Sequence, residues 1–264
     1  MFYPCFKGKT ALITGGTRGI GKETARLLAS SGCSLSLVYR HDRRSAESTE
    51  SEILALGVEV QLIQANLAEE ESVSRIIDEV RTRFGRLDYF VSNAVFGVLK
   101  PIGEFTARRF DAAMDTNARA YLLLAQAAAD LMVPPGTVTE PDVPIPAGKR
   151  MVALTSLGAD KIIPGYAAIG ASKAAIETLT RYLAAELAPR GIGVNAVSGG
   201  LVKTDSMKAF KDDAEWVEDR IAKTPMGRIG EAEDIARVVV WLLSDQAAWI
   251  TGQTIVSDGG LSLV

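Results

Sequence analysis

Residues 11–21 read ALITGGTRGIG, and the fold is decided on this stretch. Ala11, Leu12, Ile13 and Thr14 form a short apolar run, and a helical pattern follows the glycines through Leu28. Strand, tight turn and helix in that order set free backbone N–H groups and the positive end of a helix dipole beside whatever lies on the turn. Gly15, Gly19 and Gly21 allow the backbone to approach a pyrophosphate closely, with Thr17, Arg18 and Ile20 completing the turn. A glycine turn by itself is weak evidence. Placed between a strand and a helix, it reads as a dinucleotide fingerprint rather than a merely structural bend.

Outward from that stretch, strands and helices alternate. A strand at 34–39 ends in Tyr39, Arg40, His41 and Asp42; a helix at 44–56 closes on Gly57. Strand 59–65 runs into Asn66 and Leu67, helix 70–84 follows, and strand 88–92 leads to Asn93 and Ala94. One long helix is expected over 107–131, with Asn117 inside its apolar pattern. That amide either satisfies local backbone groups or serves a site. The proline-rich segment 133–149 reads as a surface loop. Strand 150–155 delivers Ser156, a helix carries Lys173 through Leu187, and strands at 193–197 and 254–257 enclose a helix at 234–243. Such alternation means an α/β fold, a doubly wound parallel sheet in a single domain spanning 1–264.

Ligands in this fold lie at the carboxyl ends of the strands, which makes Asn66 and Asn93 candidate adenine and ribose contacts. An acid closing the second strand would bind a ribose 2′-hydroxyl and favour NAD. Here the strand ends in Arg40 and the glycine turn carries Arg18, two guanidinium groups suited to the 2′-phosphate of NADPH. The competing reading makes them solvated charges, with Asp42 as the acid.

The bulk properties exclude several other classes. A length of 264 residues with 47% hydrophobic content suffices for a full core without disulfides or metals. A net charge of −3 with no basic cluster gives no pull toward nucleic acid. Cys5 and Cys33, with His41 the lone histidine, have no metal-ligand spacing. No apolar run reaches membrane-spanning length and the first residues lack a signal peptide's apolar core, so a cytoplasmic protein is expected.

A second stretch carries the chemistry: Ser156, then Tyr166-Ala-Ala-Ile-Gly-Ala-Ser-Lys173. With TGGTRGIG at 14–21, Ser92-Asn93-Ala94, Asn117 and NAVSGG at 195–200, these residues make the chain resemble the short-chain dehydrogenase/reductase superfamily from end to end. The resemblance implies a Rossmann-type sheet of about seven strands and, frequently, a homotetramer. It implies Tyr166, Lys173 and Ser156 as catalytic residues. It also implies cofactor contacts from the glycine turn (Gly15, Thr17, Arg18, Gly19, Ile20, Gly21), from Tyr39, Arg40 and His41, and from Asn66, Leu67, Asn93 and Ala94. Lys173, Gly199, Val202 and Thr204 complete that set.

The superfamily's usual pair is Tyr-x-x-x-Lys, yet four residues before Lys173 stands Ile169, which has no proton to give. The Tyr-x₆-Lys spacing, and the text TSLGADKIIPGYAAIGASKAAIETLTRYLAAEL around it, are most similar to the NADPH-dependent type III enoyl-acyl-carrier-protein reductases of bacteria. Val95 replaces the superfamily's usual glycine, and the 133–149 loop looks longer than typical. On a helix both spacings keep Tyr and Lys on one face, but seven residues rise roughly 10 Å against roughly 6 Å for four. A phenol moved that far, perched before the helix, suits a carbonyl oxygen remote from the carbon receiving hydride, as in a conjugated enoyl thioester. Lys173 is expected to hold the ribose hydroxyls and lower the phenol's pKa. Ser156 either orients substrate or bonds backbone.

The implied partner is an enoyl thioester on an acyl carrier protein, in fatty-acid or polyketide assembly. The segment 201–223 reads as a cover, with Met207, Phe210 and Trp216 offered to an acyl chain and Lys203, Lys208 and Lys211 to an acidic carrier. An amphipathic helix packed on its own domain explains it equally well. Two other activities stay open: a 3-oxoacyl or carbonyl reductase with a relocated tyrosine, and an NADPH-binding regulator without turnover.

Overall fold

The computed structural model describes residues 4–134, 136, 148–205, 207 and 214–264. The chain begins with β1 (Thr10–Thr14), α1 (Gly19–Ala29), β2 (Ser34–Tyr39), α2 (Arg43–Leu54), β3 (Val60–Gln64), α3 (Glu71–Phe84) and β4 (Tyr89–Ser92). It continues with α4 (Ala107–Met114), α5 (Ala120–Met132), β5 (Lys149–Ser156), α6 (Ala167–Leu187) and β6 (Ile192–Gly199). The last elements are β7 (Val202–Lys203), α7 (Ala214–Lys223), β8 (Gly230–Glu231), α8 (Ala232–Leu243) and β9 (Thr254–Ser257). Seven strands form one parallel sheet in the order β3-β2-β1-β4-β5-β6-β9. Strand order reverses between β1 and β4, so a crevice opens there at the carboxyl ends.

Successive side chains along each strand point to opposite faces of the sheet and build two cores. Leu12, Phe90, Met151 and Val194 pack with Ile76, Tyr121, Leu124 and Leu183 from α3, α5 and α6. Ile13, Val91, Val152 and Val197 pack with Leu28, Ile53, Val239 and Leu242 from α1, α2 and α8. Both faces are covered, which is why the strands read as near-continuous apolar runs.

Two expectations need correction. The single helix expected over 107–131 is α4 and α5 joined by a π turn, Asp115–Arg119. The strand expected over 193–197 runs on, β6 extending to Gly199, and within the expected cover Val202 and Lys203 pair as a strand with Gly230 and Glu231. Most of the 133–149 loop, and Lys208, Phe210 and Lys211 of the expected cover, lie outside the described residues. Among the described residues no helix is long and apolar enough to cross a membrane.

The opposite, amino edge of the sheet is fastened by one carboxylate. Asp88 is fully buried and accepts hydrogen bonds from the Thr10 N–H at 3.0 Å, Arg86 at 2.7 Å and Lys149 at 2.8 Å. Burial alone would raise its pKa; the bonds from Arg86, Lys149 and Thr10 outweigh that and hold it below the usual carboxylate value. A carboxylate depressed in this way stabilises the fold above its unfolded pKa of about 3.9, and the contribution is lost as pH falls through the lower folded value. Asp88→Asn is therefore expected to cost about 2 kcal/mol at neutral pH, because Arg86 and Lys149 are partly solvated. Urea unfolding of both proteins checks this, the gap closing below about pH 4.

Candidate active site

The glycine turn is built by mutual fit. Thr14 Oγ1 accepts the N–H groups of Asn93 and Ala94 at 3.0 and 3.2 Å, joining the ends of β1 and β4. Asn93 Nδ2 donates to the Thr14 and Gly15 carbonyls at 3.1 and 2.9 Å, so its amide braces the turn. At Gly21 a Cβ would lie 2.2 Å from the Gly15 carbonyl oxygen, and only glycine fits. Arg18 precedes α1 with extended backbone and its side chain makes no cap, so among the described residues the first-turn N–H groups of α1 have no capping side chain. This is a donor set fitted to an anionic group.

At the end of β2, Asp42 caps α2. Its carboxylate accepts from Ser45 N at 3.0 Å and Ser45 Oγ at 2.7 Å, and the Ser45 backbone bond is the main reason its pKa is lowered. The Arg40 carbonyl is held by Gln64 Nε2 at 3.0 Å. Arg18 lies 3.9 Å from Asp205.

The second motif sits across the crevice. Ser156 ends β5 and caps the following 3₁₀ turn, accepting the Gly158 N–H at 3.0 Å. Tyr166 is the residue immediately before α6, with φ −92° and ψ 5°. A Cβ on Gly158 would lie 2.5 Å from two atoms of the Tyr166 ring, so the bare Gly158 backbone is the seat of the phenol. Burial raises the phenol's pKa, and its hydrogen bond with the Ser156 hydroxyl draws it partly back. The expected lowering by Lys173 is not what the site does. Lys173 lies two helical turns on, 4% exposed, and donates to the Leu154 carbonyl at 2.6 Å. Burial pushes its own pKa down to about 8. The ammonium is held on that carbonyl, and among the described residues it is the Ser156 hydroxyl that draws the phenol's pKa back.

Ile169 occupies the position four before Lys173. It is buried against the loop after β4: a Cβ on Gly97 would lie 2.2 Å from Ile169 Cγ1. Asn117, on the π turn, is buried; its Oδ1 accepts the Phe96 N–H at 2.8 Å while Nδ2 donates to the Phe96 carbonyl at 2.9 Å and Ser172 Oγ at 2.8 Å. The amide thus ties a remote loop to α6 rather than serving its own helix.

A cavity of about 910 Å³ joins the two motifs. Gly15, Thr17, Arg18, Gly19, Ile20, Tyr39, Arg40, His41, Leu67, Asn93 and Ala94 line it together with Ser156, Tyr166, Lys173, Gly199, Val202, Thr204 and Met207, and Thr204 lies against Gly19 of the glycine turn. Three expected residues stand apart. Gly21 lies beneath the turn, Phe210 is outside the described residues, and Asn66 does not line the cavity. The Asn66 amide instead donates to Glu69 Oε1 at 2.8 Å and accepts from Ala68 N at 3.3 Å, shaping the entry to α3. Sequence reasoning missed Phe96, Thr116, Leu157, Ile163, Arg220 and Leu261 in the lining. They fall in loops or on helix faces where no spacing marks them; Phe96, close behind the Ser92-Asn93-Ala94 text, and Leu157, next to Ser156, were within reach.

The chain matches the family model described as enoyl-(acyl carrier protein) reductase over residues 15–262. It is 40% identical to the 1-cyclohexenylcarbonyl-CoA reductase of Streptomyces collinus over 97% of this chain and 88% of that protein. It is 36% identical to a 3-oxoacyl-(acyl-carrier-protein) reductase of Staphylococcus epidermidis over 96% of this chain and 98% of that one. Among solved structures, a short-chain dehydrogenase from Burkholderia cenocepacia in complex with NADP superposes with a TM-score of 0.86 at 32% identity, covering 97% of this chain and 99% of that one. The chain belongs to the short-chain dehydrogenase/reductase superfamily and is an oxidoreductase of that type.

Proposed function

We propose that the protein reduces the 2,3 double bond of a trans-2-enoyl thioester, carried on an acyl carrier protein, with NADPH as reductant. One observation carries this reading. The phenol stands before α6 on the Gly158 seat, while the slot four before Lys173 holds a buried alkyl side chain pressed on Gly97. The relative that reduces a cyclohexenylcarbonyl thioester supports it. When bound, NADPH would supply the hydride for the β-carbon, and water the proton for the α-carbon. Tyr166 donates a hydrogen bond to the thioester oxygen, where negative charge grows mainly in the transition state. The Ser156 hydroxyl draws the phenol's pKa partly back, and Lys173 offers its remaining N–H donors to the ribose hydroxyls. The first-turn N–H groups of α1 take the pyrophosphate.

The second reading, 3-oxoacyl reduction, is favoured by the staphylococcal relative. NADPH consumption with crotonyl and acetoacetyl thioesters side by side separates the two. Preferential turnover of the acetoacetyl substrate would overturn the proposal.

Asp42 lines the cavity as Arg18 and Arg40 do, and the choice of NADPH over NADH rests on its carboxylate being spent on Ser45 while the two guanidinium groups remain for a phosphate. Arg40→Ala is expected to raise the KM for NADPH about tenfold, a modest effect because Arg40 is exposed, and that for NADH, which has no 2′-phosphate, less than about twofold. Steady-state kinetics with each cofactor measures it; equal use of both cofactors by the unaltered protein would remove the claim.

A further inference from the structure

We infer that Phe96 is a positioning residue for cofactor choice: its ring is the platform that holds the Arg40 guanidinium ready for the 2′-phosphate. The inference rests on the NADPH reading above and deepens it. Arg40 is exposed, and its guanidinium lies over the Phe96 ring, 5.6 Å from the centroid. Among the described residues no carboxylate forms an ion pair with Arg40, whereas Arg18 has Asp205 at 3.9 Å. Of the two guanidinium groups at this end of the cavity, Arg40 is therefore the one resting on an uncharged surface. A guanidinium placed on an aromatic face keeps its N–H edge free, and that edge is what a phosphate takes in a bidentate contact.

The backbone that carries the ring is held by bonds one layer deeper. Both backbone polar groups of Phe96 are bonded by the single buried amide of Asn117, at 2.8 and 2.9 Å. That amide also reaches Ser172 Oγ at 2.8 Å, and Ser172 donates in turn to the Ile169 carbonyl at 2.7 Å within α6. The next residue, Gly97, is pressed on the Ile169 side chain. An exposed arginine on a flexible stem loses rotamer freedom when it binds an anion, and a fixed ring beneath it removes part of that cost beforehand. The loop after β4 thus sets the cofactor preference written at the end of β2.

The test is a set of dissociation constants for NADPH and NADH, from fluorescence titration of the unaltered protein, Phe96→Leu, Phe96→Tyr, Arg40→Ala and the Phe96→Leu/Arg40→Ala double variant. Phe96→Met stands in should Phe96→Leu melt early. Phe96→Leu is expected to weaken NADPH about fivefold and NADH less than about twofold. Phe96→Tyr, which keeps a ring, should retain the preference. On the Arg40→Ala background the loss of the ring should change the ratio of the two constants no further. Equal weakening of both cofactors would reduce Phe96 to a wall of the cavity and overturn the inference. So would a shift in the ratio of the same size with and without Arg40. If the unaltered protein shows no preference for NADPH, the cofactor reading itself falls and this inference with it, a result distinct from a preference that survives loss of the ring.

Discussion

Tyr166→Phe is expected to lower the turnover of enoyl-thioester reduction by about 10²–10⁴-fold while leaving the affinity for NADPH within about twofold. The hydroxyl is the only polar atom that the substitution removes. The ring keeps its seat on Gly158, where there is no room for even a Cβ, so the cavity wall does not move. Burial raises the phenol's pKa, and the Ser156 bond offsets this only in part, so at neutral pH the group is a protonated donor. A donor matters most where charge appears, at the thioester oxygen in the transition state, so the loss falls on kcat rather than on KM. Reduction does not vanish, because water can deliver the proton to the product. Steady-state kinetics on crotonyl thioester, with NADPH titration of the same preparation, reads both quantities. Unchanged turnover would place the donor elsewhere. Robust acetoacetyl reduction surviving the substitution would show that the spacing of Tyr166 and Lys173 points to the wrong chemistry.

The same residues show how far the sequence can be read. The fold was legible because its signals are local: Ala11–Thr14 followed by glycines and a helical period, and strands with apolar residues on both faces. The position of Tyr166 before α6 also followed from counting, since helical rise converts spacing directly into distance. The phenol's pKa did not, because charge proximity can be guessed from spacing and burial cannot. Lys173 faces the Leu154 carbonyl, and that contact depends on β5 lying behind α6. The π turn at Asp115–Arg119 was hidden because nothing in 107–131 breaks the apolar period: no proline or glycine interrupts it. Its central residue is tied by tertiary bonds to Phe96 and Ser172, which no window of sequence contains. Asn66 and Asn93 were indistinguishable as letters at strand ends. One braces the glycine turn and the other shapes a helix entry, according to which neighbours the topology supplies.

Lys173→Met is expected to reduce kcat/KM by about a hundredfold or more, and to take the alkaline limb of the pH profile with it. An ammonium has three N–H donors, and one is used on the Leu154 carbonyl at 2.6 Å. Two remain for ribose hydroxyls, each a charge-assisted bond of about 1.5–3 kcal/mol in a water-poor setting, so their joint loss exceeds that of any exposed arginine. Because these bonds form in the ground state as well, NADPH affinity falls together with turnover, unlike the Tyr166 case. Burial brings the ammonium's pKa down to about 8. The donor form is therefore complete below that pH and is lost as pH rises through it, so kcat/KM should be level at neutral pH and fall about tenfold per pH unit above about 8. Tyr166, shifted upward by burial, stays protonated through that window and adds no limb of its own. Lys173→Arg supplies the separating control. Arginine keeps its charge at every accessible pH but does not match a buried point-charge site, so the profile should flatten at a much lower plateau. A profile of the unaltered enzyme that stays level past about pH 9, or a limb that persists unchanged in Lys173→Arg, would assign the alkaline loss to another group and remove Lys173 from this role.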